Sequence, residues 1–266
     1  MTASTAVPDA DSLQADLERR FGGLRRLYGD AAYERLRAAR VAVVGLGGVG
    51  SWAVEALARS GVAELVLIDL DHVAESNINR QVQALGSTLG MAKGEALRQR
   101  VADIHPGCRV HVVDEFATPQ NWPGLLPVPV DALIDACDQT QAKVALAAWA
   151  LQAGIVFVTV GAAGGKRAPH RMEVGDLATV THDPLMASLR QRLRRDHAAP
   201  RTGAMGVDCV YSREPVASPA DAASCNADGS LNCHGYGSSV TVTASFGLAA
   251  AARVLERLAS PEKPML

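Results

Sequence analysis

The chain has 266 residues, 48% of them hydrophobic, which is enough for one large α/β domain. Its formal net charge of −2 excludes a chain that is basic throughout, so a nucleic acid would have to contact a local patch. The five cysteines form no C-x-x-C pair and no apolar run reaches membrane-spanning length, so we expect a soluble, reduced, cytoplasmic protein that does not enter a membrane.

The N-terminal region divides into two predicted parts. Residues 1–10 lack periodicity and are expected to be disordered, whereas Leu13, Leu17 and Phe21 have helical spacing that predicts a helix from about Ser12. Residues 11–266 are expected to form a single domain. Within it, we expect a nucleotide-binding part at 20–160 and a C-terminal substrate part at 161–260.

From residue 40 onward, strand-like runs alternate with helical runs. Strands are predicted at 41–45, 64–69, 109–113, 132–136 and 155–160, and helices at 51–61, 92–104 and 143–153. This alternation predicts an α/β fold with a Rossmann-like, mainly parallel sheet and helices on both faces.

The C-terminal part departs from that alternation. Residues 170–180 predict one or two extra strands, and Asp183 as N-cap before Pro184 predicts a helix over 183–197. The Gly-, Ala- and Ser-rich stretch 198–236 is expected to be a long loop, and residues 242–259 to form the last helix.

A glycine-rich turn follows the first predicted strand and opens a helix. Gly45, Gly47, Gly48 and Gly50 permit a tight turn and let phosphate oxygens approach backbone N–H groups. Asp69 ends the next strand, where a carboxylate can accept hydrogen bonds from ribose hydroxyls. These features alone fit an NAD-type dinucleotide fold as well as an ATP site.

Polar residues downstream separate the two nucleotides. Asn77, Arg80, Gln81 and Lys93 supply two amides and two cations shortly after the strand that ends at Asp69. An adenylating enzyme needs fixed cations and Mg²⁺ to neutralise phosphate charge, whereas binding a dinucleotide makes no such demand. The alternative is that both cations are solvated surface charges, as most such residues are. The clustering favours ATP.

Five motifs occur in a fixed order along the chain. They are G-x-G-G-x-G at 45–50, D-x-D at Asp69 and Asp71, S-N-x-x-R-Q at 76–81, G-x-x-K at 90–93 and D-x-x-D at 135–138. From residue 20 to about 160 the sequence therefore resembles the superfamily of ubiquitin-activating enzymes and the bacterial adenylyltransferases of thiamine and molybdopterin synthesis.

The resemblance implies roles for the matched residues. Asp69 would bind the ribose, with Asp71 and Gln81 also at the nucleotide. Asn77, Arg80 and Lys93 would hold the phosphates. Asp138 would lie at the reaction centre and bind Mg²⁺ together with ATP, so Arg80, Lys93 and Asp138 are the expected catalytic residues. The alternative for Asp138 is the N-cap of the following helix.

Two departures from the superfamily pattern are informative. The paired C-x-x-C motifs of a structural zinc site are absent, so we expect no zinc. The N-terminal arginine that reaches the partner subunit's ATP in relatives is replaced by Gly23, and Arg20, Arg25 and Arg26 remain alternatives for its role.

These departures fit one branch, the tRNA threonylcarbamoyladenosine dehydratases. The matching segments are 20–29, 45–61, 77–81, 90–93, 183–185, 206–215 and 241–247. The resemblance implies that ATP adenylates the threonyl carboxylate of threonylcarbamoyladenosine beside the tRNA anticodon, after which ring closure expels AMP. It also implies a homodimer, with a sulfur-relay protein as a candidate partner. The alternative function is activation of the C-terminus of a small ubiquitin-like sulfur-carrier protein.

Two cysteines are candidates for covalent chemistry. Cys209 and Cys233 lie in or beside the predicted long loop, so they are the exposed candidates for a thioester or persulfide. The structural alternative is strong, because free cysteine is among the most buried residue types.

The helix at 183–197 and its C-terminal flank are rich in arginine. We predict contacts to tRNA phosphates, because phosphate contacts dominate affinity for nucleic acids. The alternative is a solvated helix face. The arginines are Arg190, Arg192, Arg194, Arg195 and Arg201.

Overall fold

A computed structural model of the chain describes residues 10–216 and 236–260. Within these ranges the helices are α1 Ala10–Tyr28, α2 Asp30–Ala38, α3 Gly50–Arg59, α4 Lys93–Ile104, α5 Thr140–Ala153, α6 Pro184–Asp196 and α7 Val240–Ala259. The strands are β1 Arg40–Val44, β2 Glu64–Ile68, β3 Arg109–Val113, β4 Ala132–Asp135, β5 Val156–Val160, β6 Met172–Asp176 and β7 Asp208–Ser212.

The described strands form one seven-stranded sheet in the order β3-β2-β1-β4-β5-β7-β6. All neighbours pair in parallel except β6, which pairs antiparallel with β7 at the sheet edge. The chain moves from β1 to β2 and β3 on one side, and then to β4 and β5 on the other. A crevice therefore opens at the carboxyl ends of β1 and β4, where ligands bind in open α/β sheets. The predicted Rossmann-like α/β fold is confirmed.

Both faces of the sheet are buried, which explains why its central strands are mostly apolar. Successive side chains of a strand point to opposite faces, so Val41 and Val43 join one core cluster and Ala42 and Val44 the other. The first cluster includes apolar side chains of α3 and α7, and the second those of α5 and α6. Among the described helices, none is both long enough and apolar enough to cross a membrane.

The predicted long loop at 198–236 is wrong over Asp208–Ser212, which forms β7 between β5 and β6. The strand was not predicted because glycine and polar residues surround this short apolar run. Its place in the sheet depends on partner strands that are distant in sequence. Residues 217–235, the rest of that prediction, lie outside the described residues. So do residues 1–9, where disorder was predicted.

Other boundaries differ by a few residues, and one helix was not predicted. Helix α1 begins two residues before Ser12, and α2 follows it after Gly29, whose φ of 81° suits glycine. Helix α2 buries Tyr33 and Leu36. The predicted N-cap of α6 is confirmed, because the Asp183 side chain accepts a hydrogen bond from the Met186 amide at 3.1 Å.

Candidate active site

A cavity of about 780 Å³ lies at the carboxyl ends of the central strands, within the size range of small-molecule sites. The segments after β1, β2, β3, β4 and β5 all contribute to its wall. Most of the predicted site residues line it, namely Gly45, Gly47, Gly48, Asp69, Asp71, Arg80, Gln81, Lys93 and Asp138. Gly50 and Asn77 do not line it.

The glycines of the turn after β1 differ in how much space they leave for a side chain. Gly45 has φ 86°, and a Cβ on it would lie 2.8 Å from the Ala136 carbonyl oxygen. A Cβ on Gly50 would lie 1.8 Å from the Gly45 carbonyl oxygen, so neither position accepts a side chain. A Cβ on Gly47 would meet nothing within 4 Å. Since α3 begins here without a side-chain cap, its first amides and the Gly47 backbone can receive an anion.

Asp69 fixes the glycine turn to the end of β2. Its Oδ2 accepts a hydrogen bond from the Leu46 amide at 2.6 Å, and its Oδ1 accepts one from the Asp71 amide at 2.9 Å. Burial raises the pKa of the Asp69 carboxyl above its usual value, and the Lys93 ammonium and the two amides oppose that shift. Each carboxylate oxygen retains further acceptor capacity for a ribose hydroxyl.

Lys93 brings a buried positive charge to the same end of the cavity. Helix α4 begins at this residue, and its Nζ lies 2.6 Å from Asp71 Oδ2 and 3.9 Å from Asp69 Oδ1. The side chain is 7% exposed, so its geometry is fixed by packing as well as by the ion pair. The interpretation of Lys93 as a solvated surface charge is therefore wrong.

Arg80 presents a second cation at the cavity wall. Its Nη1 donates to the Ser76 carbonyl oxygen at 2.6 Å and to Asn79 Oδ1 at 2.8 Å. Among the described residues it has no carboxylate partner, and partial burial lowers its pKa. A desolvated cation at a cavity wall attracts a ligand anion more strongly than a solvated one.

Asn77 and Gln81 support this arrangement indirectly. Asn77 Oδ1 accepts a hydrogen bond from the Ala74 amide at 3.0 Å, and its carbonyl oxygen accepts from the Arg80 and Gln81 amides. Gln81 Oε1 accepts from Gln83 Nε2, which also donates to the Leu46 carbonyl oxygen at 2.9 Å. Asn77 thus shapes the turn that presents Arg80.

Asp138 lines the cavity directly before helix α5. The N-cap of α5 is Gln139, without a side-chain cap bond, so the N-cap interpretation of Asp138 is wrong. Beneath this turn, Asp135 and Lys143 form an ion pair of 3.0 Å with both side chains fully buried. Sequence analysis missed Lys143. The sequence feature that could have predicted this pair is a lysine in an otherwise apolar helix, after a buried strand that ends in aspartate.

Residues 20–265 match the model of the ThiF family. A tRNA threonylcarbamoyladenosine dehydratase of Haemophilus influenzae is 40% identical over 244 residues, covering 91% of this chain and 94% of the relative. One of Escherichia coli is 43% identical over 250 residues, covering 90% and 93%. The chain belongs to the tRNA threonylcarbamoyladenosine dehydratases of the ThiF family. The crystal structure of the E. coli dehydratase TcdA in complex with ATP aligns with a TM-score of 0.82 and 40% identity, covering 95% of this chain and 97% of TcdA.

In this family member the predicted exposure of Cys209 is wrong. Cys209 lies on β7 and is fully buried, and burial raises the pKa of its thiol far above the usual value. Cys137 lines the cavity, but its Sγ lies 3.0 Å from Asp135 Oδ1, and burial also raises the pKa of this thiol. Neither group favours the thiolate that a nucleophile requires. Cys233 lies outside the described residues.

The arginines of α6 do not form one stripe. Arg190 Nη1 donates to the Leu177 and Val180 carbonyl oxygens at 3.1 and 2.7 Å, and Arg194 Nε donates to the Pro200 carbonyl oxygen. At about 100° per residue, Arg192 and Arg195 point to a different side of the helix from Arg190 and Arg194. Arg190 therefore serves the fold, and the prediction of RNA contacts is best kept for Arg192 and Arg195.

The three N-terminal arginines lie away from the cavity of their own chain. Arg20 Nη1 donates to the Asp103 and Ile104 carbonyl oxygens at the end of α4. Arg25 pairs with acidic side chains of α1 and α2, at 2.9 Å for Asp30. Among the described residues that line the cavity, none is Arg20, Arg25 or Arg26.

Proposed function

We propose that the chain catalyses the ATP-dependent dehydration, by cyclisation, of threonylcarbamoyladenosine next to the anticodon of tRNA, through an acyl-adenylate of the threonyl carboxylate. The observation that carries the proposal is the convergence of the glycine turn, two buried or half-buried cations and a carboxylate on one cavity. The ATP complex of a relative 40% identical over nearly the whole chain supports ATP as the nucleotide.

The residues of the cavity suit the parts of ATP in order. Asp69 offers acceptors to the ribose, and the backbone around Gly47 with the N-terminus of α3 receives phosphate oxygens. Arg80 and Lys93 are held in place before the nucleotide binds, so they stabilise the charge that develops on the phosphates without reorganising. Removing either charge should therefore slow the reaction more than it weakens ATP binding.

Asp138 is the residue that would hold Mg²⁺ with the triphosphate. Mg²⁺ is usually bound by one or two carboxylates together with substrate phosphates and water. In the described part of the chain, no group of three or more His, Cys, Asp or Glu side chains is arranged to hold a metal. The Asp138 carboxylate at the cavity wall fits an ion shared with ATP, and the ion would supply charge neutralisation at the phosphates.

The chemistry follows in two steps. A threonyl carboxylate oxygen bonds to the α-phosphorus of ATP, and pyrophosphate leaves. The carbamoyl group of the same substituent then bonds to the activated carboxyl carbon and loses one N–H proton to solvent, and AMP leaves with that carboxylate oxygen. Because both reacting groups belong to one substituent, their effective concentration is already high. The burial of Cys209 agrees with a route that uses no enzyme thiol.

Activation of a sulfur-carrier protein is the weaker alternative, because the dehydratase relatives match about nine-tenths of the chain. With tRNA as its substrate, we propose that the protein acts in the cytoplasm. We also propose that the protein is a homodimer. The segment 70–92 exposes four large apolar side chains that a second copy would cover, namely Leu70, Ile78, Leu85 and Leu89. Light scattering after size exclusion tests the dimer, and a sulfur-relay protein stays a candidate partner.

The function is tested by incubating the protein with ATP, Mg²⁺ and tRNA that carries threonylcarbamoyladenosine. Nucleoside mass spectrometry should show the cyclised nucleoside, formed in equal amount with AMP. Omitting ATP or replacing it with NAD should abolish the product. Formation of AMP only in the presence of a carrier protein, with the nucleoside unchanged, would support the alternative and contradict the proposal.

A further inference from the structure

A polar network centred on Lys143 lies inside the core beneath the cavity. Its Nζ lies 3.0 Å from Asp135 Oδ2, 2.9 Å from the Val160 carbonyl oxygen and 3.3 Å from Thr159 Oγ1. Thr159 Oγ1 in turn donates to Asp135 Oδ2 at 2.6 Å. Lys143, Asp135 and Thr159 are fully buried, so these contacts do not exchange with water.

The network joins two separate segments of the cavity wall. Asp135 ends β4, and the next residues, 136–139, line the cavity and include Asp138. Val160 ends the neighbouring strand β5, and the next residues, 161–164, also line the cavity. Asp135 Oδ1 also accepts the Cys137 amide at 3.3 Å, so the pair constrains the first turn directly. One ammonium group thus bridges the ends of two paired strands, at the points where the two segments leave the sheet.

A gain in stability does not by itself explain why such an ion pair is buried. Moving two charges into the core costs more than their attraction generally returns, and apolar replacements of buried pairs are often as stable. A network whose members are all satisfied does fix side chains and backbone in one geometry. These two points favour a positional contribution over a stabilising one.

We propose that Lys143 is a positioning residue for the reaction at this cavity. Through Asp135 it holds the turn that carries Asp138, and through the Val160 carbonyl oxygen it holds the segment 161–164 against that turn. The proposal rests on the proposed function for its kinetic consequences, whereas its structural consequence holds independently of the substrate.

The test uses the double variant D135N/K143M, which removes both charges and leaves no unpaired ion in the core. We expect a folded protein whose ATP dissociation constant is unchanged and whose kcat for tRNA dehydration is lower by about a hundredfold, as for small misplacements of reacting groups. Hydrogen exchange followed by mass spectrometry should show faster exchange in 136–139 and 160–164.

The matched control is E55Q/R100M. Glu55 is a buried carboxylate bound by Arg100 Nε at 2.6 Å and Nη2 at 3.0 Å, between α3 and α4 and outside the cavity wall. This control should keep its kcat and change exchange only near α3 and α4. A folded D135N/K143M variant with wild-type kcat overturns the proposal. If the wild-type chain does not dehydrate tRNA, the proposed function fails, and unchanged exchange in both segments would then overturn the positioning role separately.

Discussion

Replacing Arg80 by alanine should remove most of the activity and leave the fold intact. The guanidinium lines the cavity without a carboxylate partner among the described residues, so we expect its charge to act on the phosphates of ATP. A preorganised electrostatic donor of this kind contributes about 3 kcal/mol to the transition state. At 1.36 kcal/mol per factor of ten, kcat should fall on the order of a hundredfold.

The cost to folding should be small. The hydrogen bonds of the Arg80 side chain go to the Ser76 carbonyl oxygen and to Asn79, both at exposed positions, and such bonds contribute about 1 kcal/mol or less to stability. The Trp52 Nε1 bond to the Arg80 carbonyl oxygen involves only the backbone at Arg80 and survives the substitution.

The assay is single-turnover formation of AMP and of the cyclised nucleoside at saturating ATP, with thermal unfolding measured on the same samples. Arg98→Ala is the control, because Arg98 is exposed on α4 and pairs with Glu95 outside the cavity wall. Near-normal kcat in a folded Arg80→Ala variant would refute the assignment. An equal loss in Arg98→Ala would show that the effect is not specific to the cavity.

Three further predictions concern groups away from the phosphates. Cys209→Ala should still make product once its folding is confirmed, because the buried thiol is not needed for ring closure; adenylate that accumulates without product would contradict this. Arg192→Ala with Arg195→Ala should weaken tRNA binding and flatten its salt dependence, whereas Arg190→Ala should lower the melting temperature without changing the salt slope. Burial lowers the pKa of His105 to about 4, so below pH 6.5 the unfolded chain binds the proton first and stability falls as pH falls, by about 3 kcal/mol at pH 4. His105→Gln should lose this pH-dependent part of the unfolding free energy, as measured by denaturant titrations at pH 6.5 and at pH 4. An unchanged pH dependence in the variant would contradict the prediction.

The sequence alone determined the nucleotide end of the site. Gly45 to Gly50 form a strand-turn-helix whose geometry is local, and Asp69 ends the next strand of a parallel sheet, where it must lie beside that turn. The order of motifs after it also placed Arg80 and Lys93 at the same cavity. Such features are predictable because a few consecutive residues define them.

Only the tertiary structure decided the remaining features. Asp208–Ser212 forms a strand because it pairs with both β5 and β6. Arg190 supports the fold because its guanidinium donates to two carbonyl oxygens from the segment before α6. The pairing of Asp135 with Lys143 and Val160 needs β4, α5 and β5 packed together. In each case a different segment of the folded chain supplies the partner. Residue spacing alone therefore cannot predict whether a polar side chain will contact water or another residue in the folded protein.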